Sequence, residues 1–207
     1  RKYHYIFIGT GAQKSCEADF IGEKVPGIID PIEFLQQAKK KADIHLGKNV
    51  VVIGGGNTAM DAARTAFRLV GEEGSVSLMY RRTVNEMPAD KGEVQAVMEE
   101  EINLLEMMTP KKILTMAGRV SGMECVMTRL EGKDKSGRPK PIKIDGSEFT
   151  LAFDTIIPAI GQELDIDFID LKKLKTKKGS YETQDKKIFI GGDALRGDRR
   201  LRHADGG

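Results

Sequence analysis

Cysteine is scarce in this chain: Cys16 and Cys125 are the two in 207 residues, and no C-x-x-C occurs. That argues against a disulfide reductase, and it removes the ligand sets of a zinc site or an iron–sulfur cluster on this chain. The three histidines are scattered and carry no metal spacing, so no metal ligand is nominated. Long apolar runs are missing as well. Nothing reaches the roughly 18 residues of a membrane span, and no signal peptide opens the chain. The expectation is a soluble, cytoplasmic protein with no membrane partner. An excess of one charge is also lacking. Lys and Arg number 33 against 31 Asp and Glu, a net charge of +2. The Lys-rich patches at 39–41 and 172–178 therefore read as solvated surface, and no nucleic-acid partner is expected.

What the chain does have is a concentrated pattern at residues 49–82, NVVVIGGGNTAMDAARTAFRLVGEEGSVSLMYRR. Val50 to Ile53 is a short apolar run of the kind that forms a parallel strand buried on both faces. Gly54, Gly56 and Ala59 follow in the spacing G-x-G-x-x-A, with Gly55, Asn57 and Thr58 between them. Ala59, Ala62, Ala63, Ala66, Phe67 and Val70 then recur as one helical stripe. Glu72-Glu73-Gly74 breaks the helix, and 75–80 makes a second strand. Strand, glycine turn, helix and strand together are a dinucleotide fingerprint in its proper setting. Gly54 allows the tight turn, Gly56 lets a pyrophosphate approach the backbone, and Ala59 lets the helix lie close on the sheet. The helix start then offers unpaired N–H groups and partial positive charge to phosphate.

The end of the second strand selects the cofactor. An NAD site places an acidic residue there, about 20 residues beyond the glycines, for the ribose 2′-hydroxyl. Here the residues are Tyr80-Arg81-Arg82, with no carboxylate. A guanidinium fork suits a 2′-phosphate, and Tyr80 or an Arg plane can stack on adenine, so NADP(H) is favoured.

The remaining chain is read in order. Residues 3–11 form an apolar strand running into a second glycine turn, Gly9-Thr10-Gly11, followed by loop signals. Asp30, Pro31 and Glu33 start a helix as N-cap, N1 and N3, running to about residue 41. Residues 83–88 read as a loop at the strand end, and 90–106 as a helix. Strands are expected near 112–116, 122–129 and 147–153, with 131–141 a long hairpin loop. Residues 154–162 form a buried strand ending at Gly161. The strand Ile188-Phe189-Ile190 runs into Gly191-Gly192-Asp193, where Asp193 serves either a hydroxylated ligand or the cap of a helix.

The set FIGTGA (7–12), VVVIGGGNTAMDAAR (50–64), YRR…EMP (80–88), PAIGQ (158–162) and T…IFIGGDA (183–194) resembles the flavoprotein reductases with two dinucleotide-binding domains. Within them it is similar to the glutamate synthase small (β) subunit and the flavin portion of dihydropyrimidine dehydrogenase. The resemblance implies an α/β fold. A three-layer, Rossmann-like NADP(H) domain (47–153, parallel sheet plus β-meander) would be inserted in a partial FAD-binding domain (1–46 and 154–207).

It also implies roles for named residues. Gly54, Gly55, Gly56, Asn57, Thr58 and Ala59 would hold pyrophosphate, and Arg81 with Arg82 the 2′-phosphate. Gly9, Thr10 and Gly11 would lie against the flavin nucleotide, Gly192 and Asp193 at its ribityl or pyrophosphate end, and Gly161 near the nicotinamide. The chemistry implied is hydride transfer from NADPH to FAD, with electrons passing to a partner subunit or domain that carries iron–sulfur or flavin centres. No catalytic acid or base is nominated. The family's opening G-x-G-x-x-G and the segment before it are not in this sequence, and Asp198 to His203 depart from its pattern after Gly-Gly-Asp. The chain thus reads as a fragment with an atypical end, expected to bind NADPH and to hold FAD weakly on its own.

Overall fold

A computed structural model describes residues 3–16, 20, 25–134, 136–176 and 179–196. Much of the loop expected after Gly11, Lys177 and Lys178 of the Lys-rich patch, and the atypical end from Gly197 onward lie outside those residues. In chain order the strands and helices are β1 (Ile6–Ile8), β2 (Lys14–Ser15), α1 (Pro31–Lys39), β3 (Asn49–Ile53), α2 (Asn57–Val70), β4 (Ser75–Met79), α3 (Lys91–Glu99), β5 (Asn103–Leu105), β6 (Met108–Met116), β7 (Arg119–Lys133), β8 (Pro139–Leu151), β9 (Thr155–Pro158), β10 (Gln162–Glu163), β11 (Ile188–Ile190) and α4 (Asp193–Arg196).

The chain divides into two compact units, and the larger is Glu17–Ile160. Its parallel sheet has the order β5-β4-β3-β9, with Val50 opposite Val76 on one side and Thr155 on the other. Alternation along β3 explains why its whole run is apolar. Val50 and Val52 face a core with Phe34 of α1, the alanines of α2 and Val97 of α3. Val51 and Ile53 face a second core with Ile113, Val120, Met123 and Cys125 of the antiparallel sheet β6-β7-β8. Both faces of the strand leave water, so neither alternates with polar residues. Helices, parallel sheet and meander are the three layers expected.

The compact unit is wider than 47–153. Strand β9 pairs in register with β3, and Phe34 of α1 is fully buried in the helix-side core. The chain enters and leaves this unit side by side: Ile156 N donates to the Gly27 carbonyl (2.7 Å) and Ile29 N to the Ile156 carbonyl (3.0 Å).

Local chemistry sets the helix ends. Asp30 Oδ1 accepts from Ile32 N and Glu33 N, both at 2.9 Å, as its N-cap position requires. Helix α2 stops one residue earlier than the Glu-Glu-Gly signal, at Gly71. Its stripe buries Ala59, Ala62, Ala63 and Ala66 together with Met60, whereas Phe67 is exposed. Helix α3 ends at Glu99 rather than running to 106, because Glu101 takes a left-handed conformation (φ 58°) that turns the chain toward β5. Arg64 and Arg68 of α2 pin α3 through Glu93 and Glu100 at 2.7–3.0 Å.

The long loop expected over 131–141 is a tight turn. Strands β7 and β8 extend to Lys133 and Pro139, so the hairpin is longer and its connection shorter than composition suggested.

The smaller unit comprises Arg1–Cys16 and Gly161–Gly207. In it β1 runs parallel to β11, and β2 antiparallel to β10. Ile8, Leu164, Leu174, Ile190 and Ala194 form its core.

Candidate functional site

The larger unit gathers the fingerprint residues at the carboxyl ends of β3 and β4, where open parallel sheets hold their ligands. Gly54 leaves β3 with φ 147°, and its N–H donates to the Met79 carbonyl at 3.0 Å. A side chain on Gly54 would meet the Ala159 carbonyl oxygen at 2.1 Å. Gly55 lies under the Tyr80 ring, 2.6 Å from where its Cβ would stand. Gly56 differs from both. It is extended (φ −93°, ψ 174°) as the N-cap of α2, and a Cβ there would meet nothing within 4 Å. No side chain caps that helix end, and its first turn holds no acidic residue. A fourteen-residue helix therefore turns its positive end toward the open space at Gly56, an anion-binding geometry. Ala59 is fully buried behind the turn, Thr58 is half-buried, and Asn57 is exposed.

Two hydrogen bonds hold the loop after β4 to this turn. Ala89 N donates to the Gly55 carbonyl (3.1 Å) and Asp90 N to Asn57 Oδ1 (2.8 Å). Thr83 and Glu86 close a capping box over 83–86. The sequence had placed this segment at the strand end but gave no sign that Asn57 anchors it.

Tyr80 and Arg82 at the end of β4 are both buried. Tyr80 is only 7% exposed, its ring is spent on Gly55, and its hydroxyl donates to the Glu86 carbonyl at 3.0 Å. It is packed as a wall of the loop. Arg82 is 1% exposed, the largest fully buried side chain in the described residues. Its Nε donates to the Pro139 carbonyl (2.6 Å) and its Nη2 pairs with Asp134 Oδ2 (2.6 Å). Those partners engage two of its three guanidinium nitrogens. Arg81 is exposed.

The strand end is not free of carboxylates either: Asp134 reaches it from the hairpin, and Glu106 accepts from Val84 N. Asp134 was invisible as a site residue because 52 residues separate it from Arg82. Its signal, an Asp opening D-K-S-G-R, indicates only a turn.

Asp134 is also the hub of that turn. Its Oδ1 accepts from Ser136 Oγ (2.6 Å), Ser136 N (2.8 Å) and Arg138 N (3.2 Å). The Ser136 hydroxyl foremost, then these N–H groups and the Arg82 charge, hold the carboxyl down at about 2. A carboxyl depressed in the folded state stabilises the fold above its unfolded value, near 4, and loses that contribution as pH falls through about 2. Asp134→Asn is therefore expected to flatten the loss of stability between about pH 4 and pH 2. Urea midpoints of both proteins across that window check it, and parallel curves would refute it.

In the smaller unit, Gly9-Thr10-Gly11 and Gly191-Gly192-Asp193 leave the carboxyl ends of the adjacent strands β1 and β11, joined by Gly191 N donating to the Ile8 carbonyl (3.1 Å). Thr10, Gly11 and Gln13 line a cavity of about 230 Å³ with Asp165 and Phe168. Asp193 is exposed as the first residue of α4. The Gly161 carbonyl accepts from Cys16 N at 3.0 Å.

Cys125 is fully buried, and that burial first, with the Glu124 charge second, pushes its thiol up to about 12. It is inert near neutral pH. Neither cysteine forms a disulfide. Among the described residues no group of three His, Cys, Asp or Glu could hold a metal ion, and no helix is long and apolar enough to cross a membrane.

Residues 1–206 match the family described as pyridine nucleotide-disulphide oxidoreductase. The chain is 36% identical over 211 residues to the NADP(+)-dependent formate dehydrogenase subunit beta of Moorella thermoacetica, covering 97% of this chain and 30% of that protein. It is 40% identical over 173 residues to the NADPH-Fe(3+) oxidoreductase subunit beta of Geobacter sulfurreducens, covering 82% and 25%. Against the glutamate synthase (NADPH) small chain of Halomonas elongata the identity is 34% over 218 residues, covering 95% and 46%. The chain spans less than half the length of each of these relatives. Among solved structures, Mycobacterium tuberculosis FprA in complex with NADPH superposes with a TM-score of 0.72 at 17% identity, over 95% of this chain and 59% of that one. Thioredoxin reductase of T. acidophilum follows at 0.61 and 17%, over 92% and 57%. These two likenesses concern the fold.

Proposed function

Since the chain belongs to the pyridine nucleotide-disulphide oxidoreductase family, we propose that it is the electron-entry part of an NADPH-dependent flavoprotein oxidoreductase. The observation that carries this reading is the uncapped N-terminus of α2 beside the open space at Gly56, with exposed Arg81 at the neighbouring strand end. The donors fit the group. Backbone N–H groups and the helix dipole suit a pyrophosphate, and a guanidinium suits a 2′-phosphate.

In this reading Gly54 to Ala59 seat the pyrophosphate, Asn57 keeps the loop 83–90 against it, and Arg81 alone of the arginine pair reads the 2′-phosphate. Gly9, Thr10, Gly11, Gly192 and Asp193 form the part of the FAD site that the chain contains, two strand ends with an exposed carboxylate for ligand hydroxyls. NADPH, when bound, supplies a hydride that the flavin accepts. The protein's share is position and electrostatics, and no side chain is given an acid–base role. Buried Cys125 and the missing C-x-x-C leave the disulfide chemistry of thioredoxin reductases without a dithiol. Relatives named as beta subunits or a small chain support a separate partner that takes the electrons. Iron–sulfur or flavin centres on that partner complete the proposal.

Calorimetric titration of the intact protein with NADPH and NADH tests it. NADPH is expected to bind at least about tenfold more tightly, about 1.4 kcal/mol, and Arg81→Ala to erase that preference. Equal binding of the two would refute the NADP(H) assignment, and binding of neither would refute the dinucleotide reading altogether.

A further inference from the structure

Resting on the NADP(H) reading, we propose that Asp134 is a positioning residue for the 2′-phosphate. It acts from the hairpin tip through Arg82 on the backbone that carries Arg81. Four contacts tie that backbone to the meander. Thr128 Oγ1 donates to the Arg81 carbonyl (3.0 Å), and Met107 N to the Arg82 carbonyl (3.2 Å). Met108 N donates to the Tyr80 carbonyl (3.3 Å), and the Arg82 side chain is locked between Pro139 and Asp134. The carbonyls of Tyr80, Arg81 and Arg82 thus all accept from β6, β7 or the turn before them.

This arrangement separates two kinds of recognition. The glycine turn and α2 grip the pyrophosphate, which NADPH and NADH share. The strand end meets the one group in which they differ. Reach to a phosphate from an exposed Arg starts from its backbone, so selectivity depends on that backbone being fixed close to the phosphate. Asp134 supplies that fixation. It closes the hairpin turn with three hydrogen bonds and pairs Arg82 with its other oxygen. A structural account of the same pair differs in what it expects. Loosening the strand end as a merely structural defect would weaken both dinucleotides alike, whereas a positioning role touches only NADPH.

The experiment titrates the intact protein, Arg81→Ala, Asp134→Ala and Thr128→Val with NADPH and NADH. For Asp134→Ala the preference for NADPH is expected to fall about tenfold or more while the dissociation constant for NADH stays unchanged. Thr128→Val, which removes one tether of the Arg81 carbonyl without touching the Arg82 pair, is expected to move in the same direction. If Asp134→Ala does not fold, Thr128→Val decides by the same criterion. Equal weakening of both ligands, an unchanged preference, or a preference that rises because Arg82 has lost its counter-charge would each overturn the proposal. A wild-type protein without preference, and an Arg81→Ala variant indistinguishable from it, would instead mark the failure of the NADP(H) reading on which it rests.

Discussion

Gly54→Ala is expected to destabilise the larger unit by about 4 kcal/mol or more, summing backbone strain and overpacking. The new methyl would stand 2.1 Å from the Ala159 carbonyl oxygen, 2.9 Å from its carbon and 3.2 Å from Ala59 Cβ. None of these can yield cheaply. Ala159 follows β9 directly, so moving its carbonyl strains a strand hydrogen-bonded to β3, and Ala59 is fixed in the first turn of α2. The residue also sits at φ 147°, a region that side chains rarely adopt. Against a total stability of about 5–15 kcal/mol for a domain, such a loss removes between about a quarter and four fifths of the margin. Urea denaturation of the intact protein measures it, and a midpoint equal to that of the wild type would refute the argument.

Two residues away the outcome inverts. Gly56→Val is expected to leave the denaturation midpoint nearly unchanged and to weaken both NADPH and NADH about 100-fold, near 2.7 kcal/mol. The backbone at Gly56 is already extended, a conformation that valine adopts readily. Its side chain would enter the open space in front of α2, where the protein places no atom within 4 Å. A pyrophosphate needs that space to reach the N–H groups, and it is common to both dinucleotides, so the loss is not selective. Unaltered affinity for both ligands would place the pyrophosphate elsewhere. A loss for NADPH alone would mean that Gly56 faces the 2′-phosphate.

Most of what local rules govern was legible before the structure. The apolar run of β3, the glycine spacing, the alanine stripe and the cap at Asp30 each draw on neighbours within a few residues, and each stands where the sequence put it. The contents of the three layers followed from the same periodicities. What was not legible depends on partners distant in the chain. Arg81 and Arg82 look equivalent side by side, yet one is exposed and the other buried, and the difference is made by Asp134 and Pro139. Lys, Gly and Pro over 131–141 indicated a loop, while the hydrogen bonds of Asp134 tighten it into a hairpin turn. Nor does composition show that α3 stops early, since the cause is the left-handed backbone of Glu101, in a run of three glutamates that all favour helix.

The neighbouring entry and exit of the larger unit have a consequence for its portability. Gly27 and Ile29 bond to the N–H and the carbonyl of Ile156 along one edge of β9, so everything between them is a closed excursion of the chain that begins and ends at one point. Such a piece can be spliced into a single surface turn of a host without spreading the host's ends apart. Recombination could move it between proteins as a cassette, and a protein engineer could do the same.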